Sequence, residues 1–243
     1  MVMASEGKTP HYNSIFNVLD KESLTPILEE LITRSAMPLQ AVETGFAVDS
    51  TGFGTNRFYR HFIAKHGKEQ VSRDYVKVHA SVGVKTHVIT AAVATDRDTH
   101  DSPMLSPLVQ TTAKHFQVSH VAADKAYCSH KNLELIESLG AAAYVPFKVN
   151  AVGTSVSSTW NRLFHFFHLH REEFVAAYHC RSNAESAFSA IKRKFGDGVR
   201  SKTPIAQRNE ALLKVLCHNI VCLIHEMHES GAVAVFPVAP AAP

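Results

Sequence analysis

Three acidic residues are the side chains of this chain whose types and surroundings best suit joint chemistry. Asp49 ends a largely apolar run at residues 42–48, and Asp124 ends a second one at residues 118–123. Glu185 lies among cationic side chains further along the chain. An acid at the end of a buried strand costs several kcal/mol of desolvation unless a cation meets it. Three such carboxylates, if they converge, form the hard oxygen site that Mg²⁺ or Mn²⁺ prefers.

The segment around Glu185 carries further polar side chains at helical spacing. At 100° per residue on one continuous helix, four of them fall within about 60° of one another. These residues are Tyr178, Arg181, Glu185 and Lys192. An alternative stays open, because Ser182 and Glu185 also form an S-x-x-E capping box that would begin the helix at Ser182. In that case Tyr178 and Arg181 would lie outside the helix.

This combination of charges suits chemistry on a phosphodiester. Divalent cations held by carboxylates activate a water or a 3′ hydroxyl, stabilise the leaving oxygen and polarise the phosphate for in-line attack. An Arg guanidinium binds a neighbouring phosphate through two donors, and a Lys acts as a point charge. The small residues after Asp49, among them Gly52, are expected to leave the approach open for a DNA backbone.

The elements that must position these residues change character along the chain. Runs rich in Val, Ile and Thr predict strands at 42–49, 75–84, 86–95, 118–124 and 141–147. Helices are predicted at 14–35, from Asp101 or Ser102 to about Phe116, from Ser129 to Gly140, and from Arg171 to Glu229 with an interruption at 196–204. Residues 149–159 are predicted to be a loop. This order predicts an α/β fold in which a mixed sheet is flanked by helices.

Three motifs together resemble a known family. They are AVDSTGF at 47–53, ADKAY at 123–127, and the spaced residues Tyr178, Arg181, Glu185 and Lys192. The set is similar to the catalytic domain of bacterial insertion-sequence transposases of the DDE class, in the group with a Tyr-Arg-Glu-Lys signature. The resemblance runs from about residue 13 to residue 229 and implies a ribonuclease H-like fold with C-terminal helices.

The resemblance also implies roles for individual residues. Asp49, Asp124 and Glu185 would be catalytic and would ligate two Mg²⁺ or Mn²⁺ ions. The DNA-binding residues would be Tyr178, Arg181 and Lys192, and we add Arg193 because it lies beside them. Arg193 belongs to a group of cations that could form a DNA-facing edge or a solvated loop: Arg193, Lys194, Arg200 and Lys202.

The function implied is metal-dependent cleavage of DNA at transposon ends and strand transfer into target DNA. Its partners would be the terminal inverted repeats and the target, bound by a homodimer on paired ends. Two alternatives remain open. One is a metal-dependent nuclease without strand transfer, and the other is a transposition-defective DNA-binding remnant.

Domain boundaries follow from the same comparison. We expect a short helical N-terminal remnant at 1–41, a ribonuclease H-like DDE catalytic domain at 42–229, and a disordered Ala/Pro tail at 230–243. Full-length relatives of this kind usually carry a helical domain that binds the inverted repeats, and only about forty residues precede Val42 here.

Bulk composition narrows the class of protein. The chain has 243 residues, 45% of them apolar, with a formal net charge of +3 and a pI of about 8.6. This mild basicity is compatible with a polyanionic partner. The four cysteines show no CxxC spacing, and no segment has the length of a membrane span or the apolar core of a signal peptide. We therefore expect a reduced cytoplasmic protein, and the resemblance to transposases implies association with the nucleoid.

Other clusters receive simpler interpretations. The acids and histidine at 96–101 could form a second metal site, but capping of the following helix explains them more economically. The run HFFHLH at 165–170 lacks a zinc motif and is predicted to be a partly buried aromatic segment. Trp160 could stack on an extruded base, although core packing is the better explanation.

Overall fold

The centre of the molecule is a five-stranded sheet, seen in a computed structural model that describes residues 11–55 and 74–231. The strand order is β3-β2-β1-β4-β5. The strands are β1 Gly45–Gly54, β2 Tyr75–Gly83, β3 Ile89–Asp96, β4 His120–Ala123 and β5 Ala142–Tyr144. Strand β2 is antiparallel to both of its neighbours, β1 and β3, whereas β4 is parallel to β1 and to β5. The predicted α/β fold, a mixed sheet flanked by helices, is confirmed.

Helices cover both faces of this sheet. In the described part of the chain they are α1 Tyr12–Leu19, α2 Leu24–Ala36, α3 Ser102–Ala113, α4 His130–Ser138, α5 Ser158–Leu169, α6 Arg171–Tyr178, α7 Ser182–Phe195 and α8 Pro204–Ser230. None of the described helices is long and apolar enough to cross a membrane.

Alternation along β1 divides the apolar side chains between two cores. Phe46 and Val48 pack on one face with α3 and α4, whereas Ala47 and Phe53 pack on the other with α2, α7 and α8. Because successive strand residues face opposite sides, Asp49 shares its face with Phe53, the face that α7 covers.

Two buried asparagines attach the long C-terminal helix α8 to the rest of the fold. The Asn219 side chain bonds both backbone groups of Ile89, with Ile89 N–H donating at 2.8 Å and Nδ2 donating to Ile89 O at 2.7 Å. Nδ2 also donates to Ile32 O on α2. Asn209 donates to Leu19 O at 2.7 Å. Buried amides with satisfied hydrogen bonds fix the position of α8 more specifically than apolar contacts alone.

The structure corrects several predicted element boundaries. The strand predicted at 42–49 begins at Gly45 and continues to Gly54, so Asp49 lies inside β1. The reason is that β2 pairs with β1 as far as Gly54↔Tyr75. The loop predicted at 149–159 ends early because Ser157 caps α5, a helix that the sequence analysis did not predict.

The predicted division at residues 41 and 229 stays a prediction. Leu28 and Ile32 of α2, which lie in the predicted N-terminal remnant, pack in the same core as β2 and α8. Of the predicted tail, Ser230 ends α8 and Gly231 adopts a left-handed conformation with φ 66°. Residues 232–243 lie outside the described residues.

Candidate active site

The first two acids lie side by side because of strand register. Parallel pairing of β1 with β4 ends at Val48↔Ala123, and the next residue on each strand is Asp49 and Asp124 respectively. Beyond this point β4 gives way to a short 3₁₀ turn, Lys125–Tyr127, for which Asp124 is the N-cap. The sheet thus opens beside Asp49 while β2 continues to support β1 on its other side.

The third acid is brought to the same place by α7. The buried side chains Ala184, Ala187 and Ile191 pack this helix in the core that contains Phe53 of β1. Glu185 lies on the first turn and is more than half exposed. The structure therefore places Asp49, Asp124 and Glu185 around one opening of the sheet.

Arg181 joins two of the three carboxylates. Its Nη1 donates to Asp49 Oδ2 at 3.0 Å, and its Nη2 donates to Glu185 Oε1. The Asp49 and Arg181 side chains are 18% and 20% exposed, so their ion pair is screened by water less than a surface pair. The guanidinium supplies the cation that the sequence analysis required for Asp49.

The electrostatic state of Asp49 shows that the acids affect one another. Burial raises the pKa of this carboxyl, and the charges of Glu185 and Asp124 raise it further. The Ser50 N–H and the Arg181 charge oppose this increase. The pKa remains raised, so the single guanidinium does not fully offset the burial and the mutual repulsion of the acids.

The helix geometry assumed for Tyr178 and Arg181 is wrong. A 3₁₀ turn, His179–Arg181, separates α6 from α7, which begins at Ser182. The alternative helix start at Ser182, with Tyr178 and Arg181 outside this helix, is confirmed. The hydrogen bond of the capping box is absent, because Ser182 Oγ donates to His179 O at 2.9 Å. Tyr178 nevertheless lies near the acids: burial raises the pKa of its hydroxyl, and Asp124, Asp49 and Glu185 add to the increase.

Lys192 follows Glu185 along α7 and lies over β1. Its Nζ is 5.7 Å from the centroid of the Phe53 ring. Burial lowers the pKa of Lys192, and the charge of Asp197 opposes this. Arg193, the remaining predicted DNA-binding residue, is exposed on the last turn of α7.

The small residues after Asp49 do not open the site, contrary to expectation. Gly52 leaves room for the ring of Tyr75, whose Cδ2 would lie 2.7 Å from a Cβ at position 52. Ser50 Oγ donates to Asp101 at 2.8 Å. Ser50 and Gly52 alternate with Asp49 along β1 and therefore face the other side of the sheet.

The remaining candidate clusters do not form binding sites. Asp96 pairs with Arg208 and Asp98 with Arg97. The HFFHLH run lies largely in α5, with the ring of His168 over Phe164 at 4.1 Å between centroids. These contacts explain the clusters without a ligand.

Trp160 packs within the protein, as the core-packing interpretation proposed. Its ring meets Phe147 edge-on at 4.8 Å and stacks on His130 at 4.0 Å between centroids. Its Nε1 donates to Val152 O at 2.8 Å.

One charged group beside the site was misinterpreted from sequence. Asp101 occupies the N-cap position of α3 but makes no side-chain cap hydrogen bond. It pairs instead with Lys77 at 2.8 Å, on the far side of β1 from Asp49.

The three acids suit a hard divalent cation by their chemistry. Burial and the charges of Glu185 and Asp124 raise the pKa of Asp49, and a divalent ion beside this carboxyl would oppose that increase. Within residues 11–55 and 74–231, no three His, Cys, Asp or Glu side chains are gathered closely enough to hold a metal ion. Arg181 lies between two of the acids in this arrangement.

Comparison with known proteins defines the class. Residues 40–220 match the family model described as Transposase DDE domain. The match covers more than half of the chain, and the chain therefore belongs to this family. Membership of the Tyr-Arg-Glu-Lys group within it stays a prediction.

A curated relative is a probable transposase for an insertion sequence element of Archaeoglobus fulgidus. It is 28% identical over 182 residues, covering 73% of this chain and 54% of the relative. The chain thus spans about half the length of the curated relative that it matches.

Solved structures share weaker similarity. A piggyBac transposase synaptic complex with hairpin DNA has a TM-score of 0.45 at 10% identity, covering 89% of this chain and 57% of its own. The catalytic core domain of BIV integrase has a TM-score of 0.28 at 13% identity, and the match covers 70% of this chain and 95% of the integrase chain.

Proposed function

We propose that this chain carries the active site of a DDE transposase that cleaves DNA at the ends of an insertion sequence and joins them to target DNA. The observation that supports this most is that Asp49 and Asp124 follow adjacent paired strand ends while Arg181 joins Asp49 to Glu185, in a chain of the transposase DDE family. DNA is the proposed substrate and partner, and a homodimer on paired ends is proposed from the family resemblance.

The three acids are the proposed ligands of two Mg²⁺ or Mn²⁺ ions. Such ions, when bound, activate the attacking water or 3′ hydroxyl and neutralise charge on the reacting phosphate. For the acids to converge, the Arg181 guanidinium must leave its position between Asp49 and Glu185. A phosphate of the DNA end is a suitable new partner, since guanidinium groups bind phosphate oxygens bidentately. Arg181 would then hold the substrate while the carboxylates hold metal.

Cationic side chains extend from this opening along α7. Lys192 lies about 10 Å from Glu185 at 1.5 Å rise per residue, which is more than the spacing of adjacent phosphates along a strand. Beyond it, Arg193, Lys194, Arg200 and Lys202 are exposed and form no ion pair with a described residue. We propose that these residues contact the DNA backbone outside the reacting phosphate.

Tyr178 is proposed as a further DNA contact. It stacks on Phe174 at 5.8 Å between centroids, which fixes the ring, and its hydroxyl faces the charges of the acids. A hydroxyl held in this way can donate to a phosphate oxygen, since the raised pKa keeps it protonated.

The test is a cleavage and joining assay on labelled DNA that carries the inverted repeats flanking the gene, with supercoiled plasmid as target and Mg²⁺ or Mn²⁺. The wild type is expected to nick the labelled end and join it to the plasmid, and Glu185→Gln should lose both activities by roughly 100-fold or more. Glu30→Gln, which changes an exposed acid on α2, is the matched control and should remain active.

The alternatives predict other outcomes of the same assay. Nicking without joined product would favour a nuclease, and DNA binding without either product would favour a defective remnant. If Glu185→Gln nicks and joins as well as the wild type, the proposed site is wrong.

A further inference from the structure

The Asp101 carboxylate makes its contacts across two strands instead of capping its own helix. Its Oδ1 accepts from Ser50 Oγ on β1 and from Lys77 Nζ on β2, each at 2.8 Å. An Asp at an N-cap ordinarily accepts from the backbone N–H of the second or third helical residue, which stabilises the helix. That interaction is absent at the start of α3. The carboxylate therefore binds β1 and β2 instead of the start of its own helix.

The surroundings of Asp101 keep it charged and fixed. Burial alone would raise its pKa, but hydrogen bonds from Lys77 and Ser50 hold the pKa below the ordinary value. Lys77 Nζ also donates to Thr99 O at 3.1 Å, which holds the ammonium beside the carboxylate. The Lys77 and Asp101 side chains are only 15% and 25% exposed. A charged pair with further hydrogen bonds at this burial is more rigid than a surface ion pair.

Ser50 connects the fixed Asp101 carboxylate to Asp49 through two hydrogen bonds. While its hydroxyl donates to Asp101 on one face of the sheet, its backbone N–H donates to Asp49 Oδ1 at 2.8 Å. At this point β1 has lost its parallel neighbour β4, whose pairing ends at Val48↔Ala123. Among the described strands, β2 alone pairs with β1 here, through Asp49↔Ala80 and Ser50↔His79.

We propose that Asp101 is a positioning residue, which through Ser50 fixes the orientation of the Asp49 carboxylate at the point where β4 no longer pairs with β1. Lys77 holds Asp101, and the Ser50 hydroxyl and N–H form the connection between the two acids. The inference rests on the proposed function only in one respect, namely that an oriented Asp49 carboxylate serves to bind metal. The connection itself is a property of the protein without metal or DNA.

The first measurement is amide hydrogen exchange of Ser50, followed by NMR on the protein without metal. In Asp101→Ala the Ser50 N–H should exchange at least roughly tenfold faster relative to the Ala47 amide, which lies in the same strand. Ser50→Ala should show the same loss at position 50, and Ser50→Thr, which keeps the hydroxyl, should behave as the wild type. Ser102→Ala is the control, because its hydroxyl accepts from Asn132 at the same helix start without touching the connection.

The second measurement is Mn²⁺ affinity by isothermal titration calorimetry. Asp101→Ala and Ser50→Ala should each bind Mn²⁺ roughly fivefold or more weakly, and Ser50→Thr and Ser102→Ala should bind as the wild type does. A residue that only stabilised the fold would lower the melting temperature without changing the affinity of the folded protein.

The two measurements separate failure of the inference from failure of the proposed function. Unchanged Ser50 exchange in Asp101→Ala, or equal acceleration in Ser102→Ala, overturns the inference whatever the protein does with metal or DNA. A wild type that binds no Mn²⁺, while Asp101→Ala still accelerates Ser50 exchange, supports the connection and contradicts the metal site.

Discussion

Arg181 has two functions that cannot be carried out at once. It offsets the charge of Asp49 and Glu185 in the arrangement described here, and it is the proposed holder of a DNA phosphate. A cation between two carboxylates competes with a divalent ion for the same oxygens. DNA that draws the guanidinium away would then favour metal binding.

Substituting Arg181 tests this competition. Arg181→Gln removes the charge, so Mn²⁺ should bind roughly fivefold more tightly in the absence of DNA, an effect of about 1 kcal/mol. Affinity for DNA should fall in the same variant. Isothermal titration calorimetry measures both. Arg162→Gln, which breaks another Arg–Glu pair on α5, should change neither. Weaker Mn²⁺ binding by Arg181→Gln would contradict the competition.

The segment between α7 and α8 is held by side chains of α8. Lys214 Nζ donates to the carbonyls of Phe195, Gly196 and Gly198 at 2.9, 3.1 and 2.6 Å. The Glu210 carboxylate accepts the N–H groups of Arg200 and Ser201. Val199 N–H donates to Gly54 O, which attaches the segment to the end of β1. The cations of this segment therefore stand in fixed relation to the strand that carries Asp49.

Salt dependence of DNA binding tests whether these cations contact phosphates. Each of Arg193→Ala and Arg200→Ala should weaken binding to a duplex of arbitrary sequence and lower the slope of log affinity against log salt by about 0.9. Fluorescence anisotropy at several salt concentrations gives the slope. Lys114→Ala removes an exposed cation beside α3 and should leave the slope unchanged. An unchanged slope in the first two variants would show that Arg193 and Arg200 face solvent and do not contact phosphates.

Local patterns predicted much of the sheet and its helices, because Val-rich alternation and capping residues such as Ser129 are short-range signals. The end of β1 was not predictable, because its continuation to Gly54 depends on pairing with β2. The small and polar residues after Val48 do not by themselves indicate a strand. The helix α5 was missed since its closely spaced aromatic and histidine residues hide the usual alternation of apolar and polar faces. Asp101 was misassigned because its partners lie 51 and 24 residues away along the chain.

Buried histidines couple the stability of the whole molecule to pH. Burial lowers the pKa of His79 to about 4, with Asp101 opposing and Lys77 adding to the decrease. Burial also lowers the pKa of His218 and His120. Between the ordinary pKa of 6.5 and the folded value, the unfolded chain binds more protons than the folded one, so stability rises with pH. The stabilisation is present above pH 6.5 and is lost as pH falls toward 4.

Unfolding free energy measured in urea at pH 7 and pH 5 tests this coupling. The wild type should lose on the order of 2 kcal/mol from His79 alone over this interval. In His79→Gln, which can still bond Thr95 Oγ1 but does not titrate, the loss should be smaller by about that amount. The exposed His165→Gln should lose as much as the wild type. An equal loss in His79→Gln would contradict the assignment.

If Asp49, Asp124 and Glu185 act as one divalent metal site, each of them contributes to Mn²⁺ binding, which electron paramagnetic resonance measures by counting the bound ions. The wild type and Glu30→Gln should bind Mn²⁺ alike, whereas Asp49→Asn, Asp124→Asn and Glu185→Gln should each weaken binding roughly tenfold or more while remaining folded. Folded acid variants that bind Mn²⁺ as tightly as the wild type, or a wild type that binds none, would contradict it.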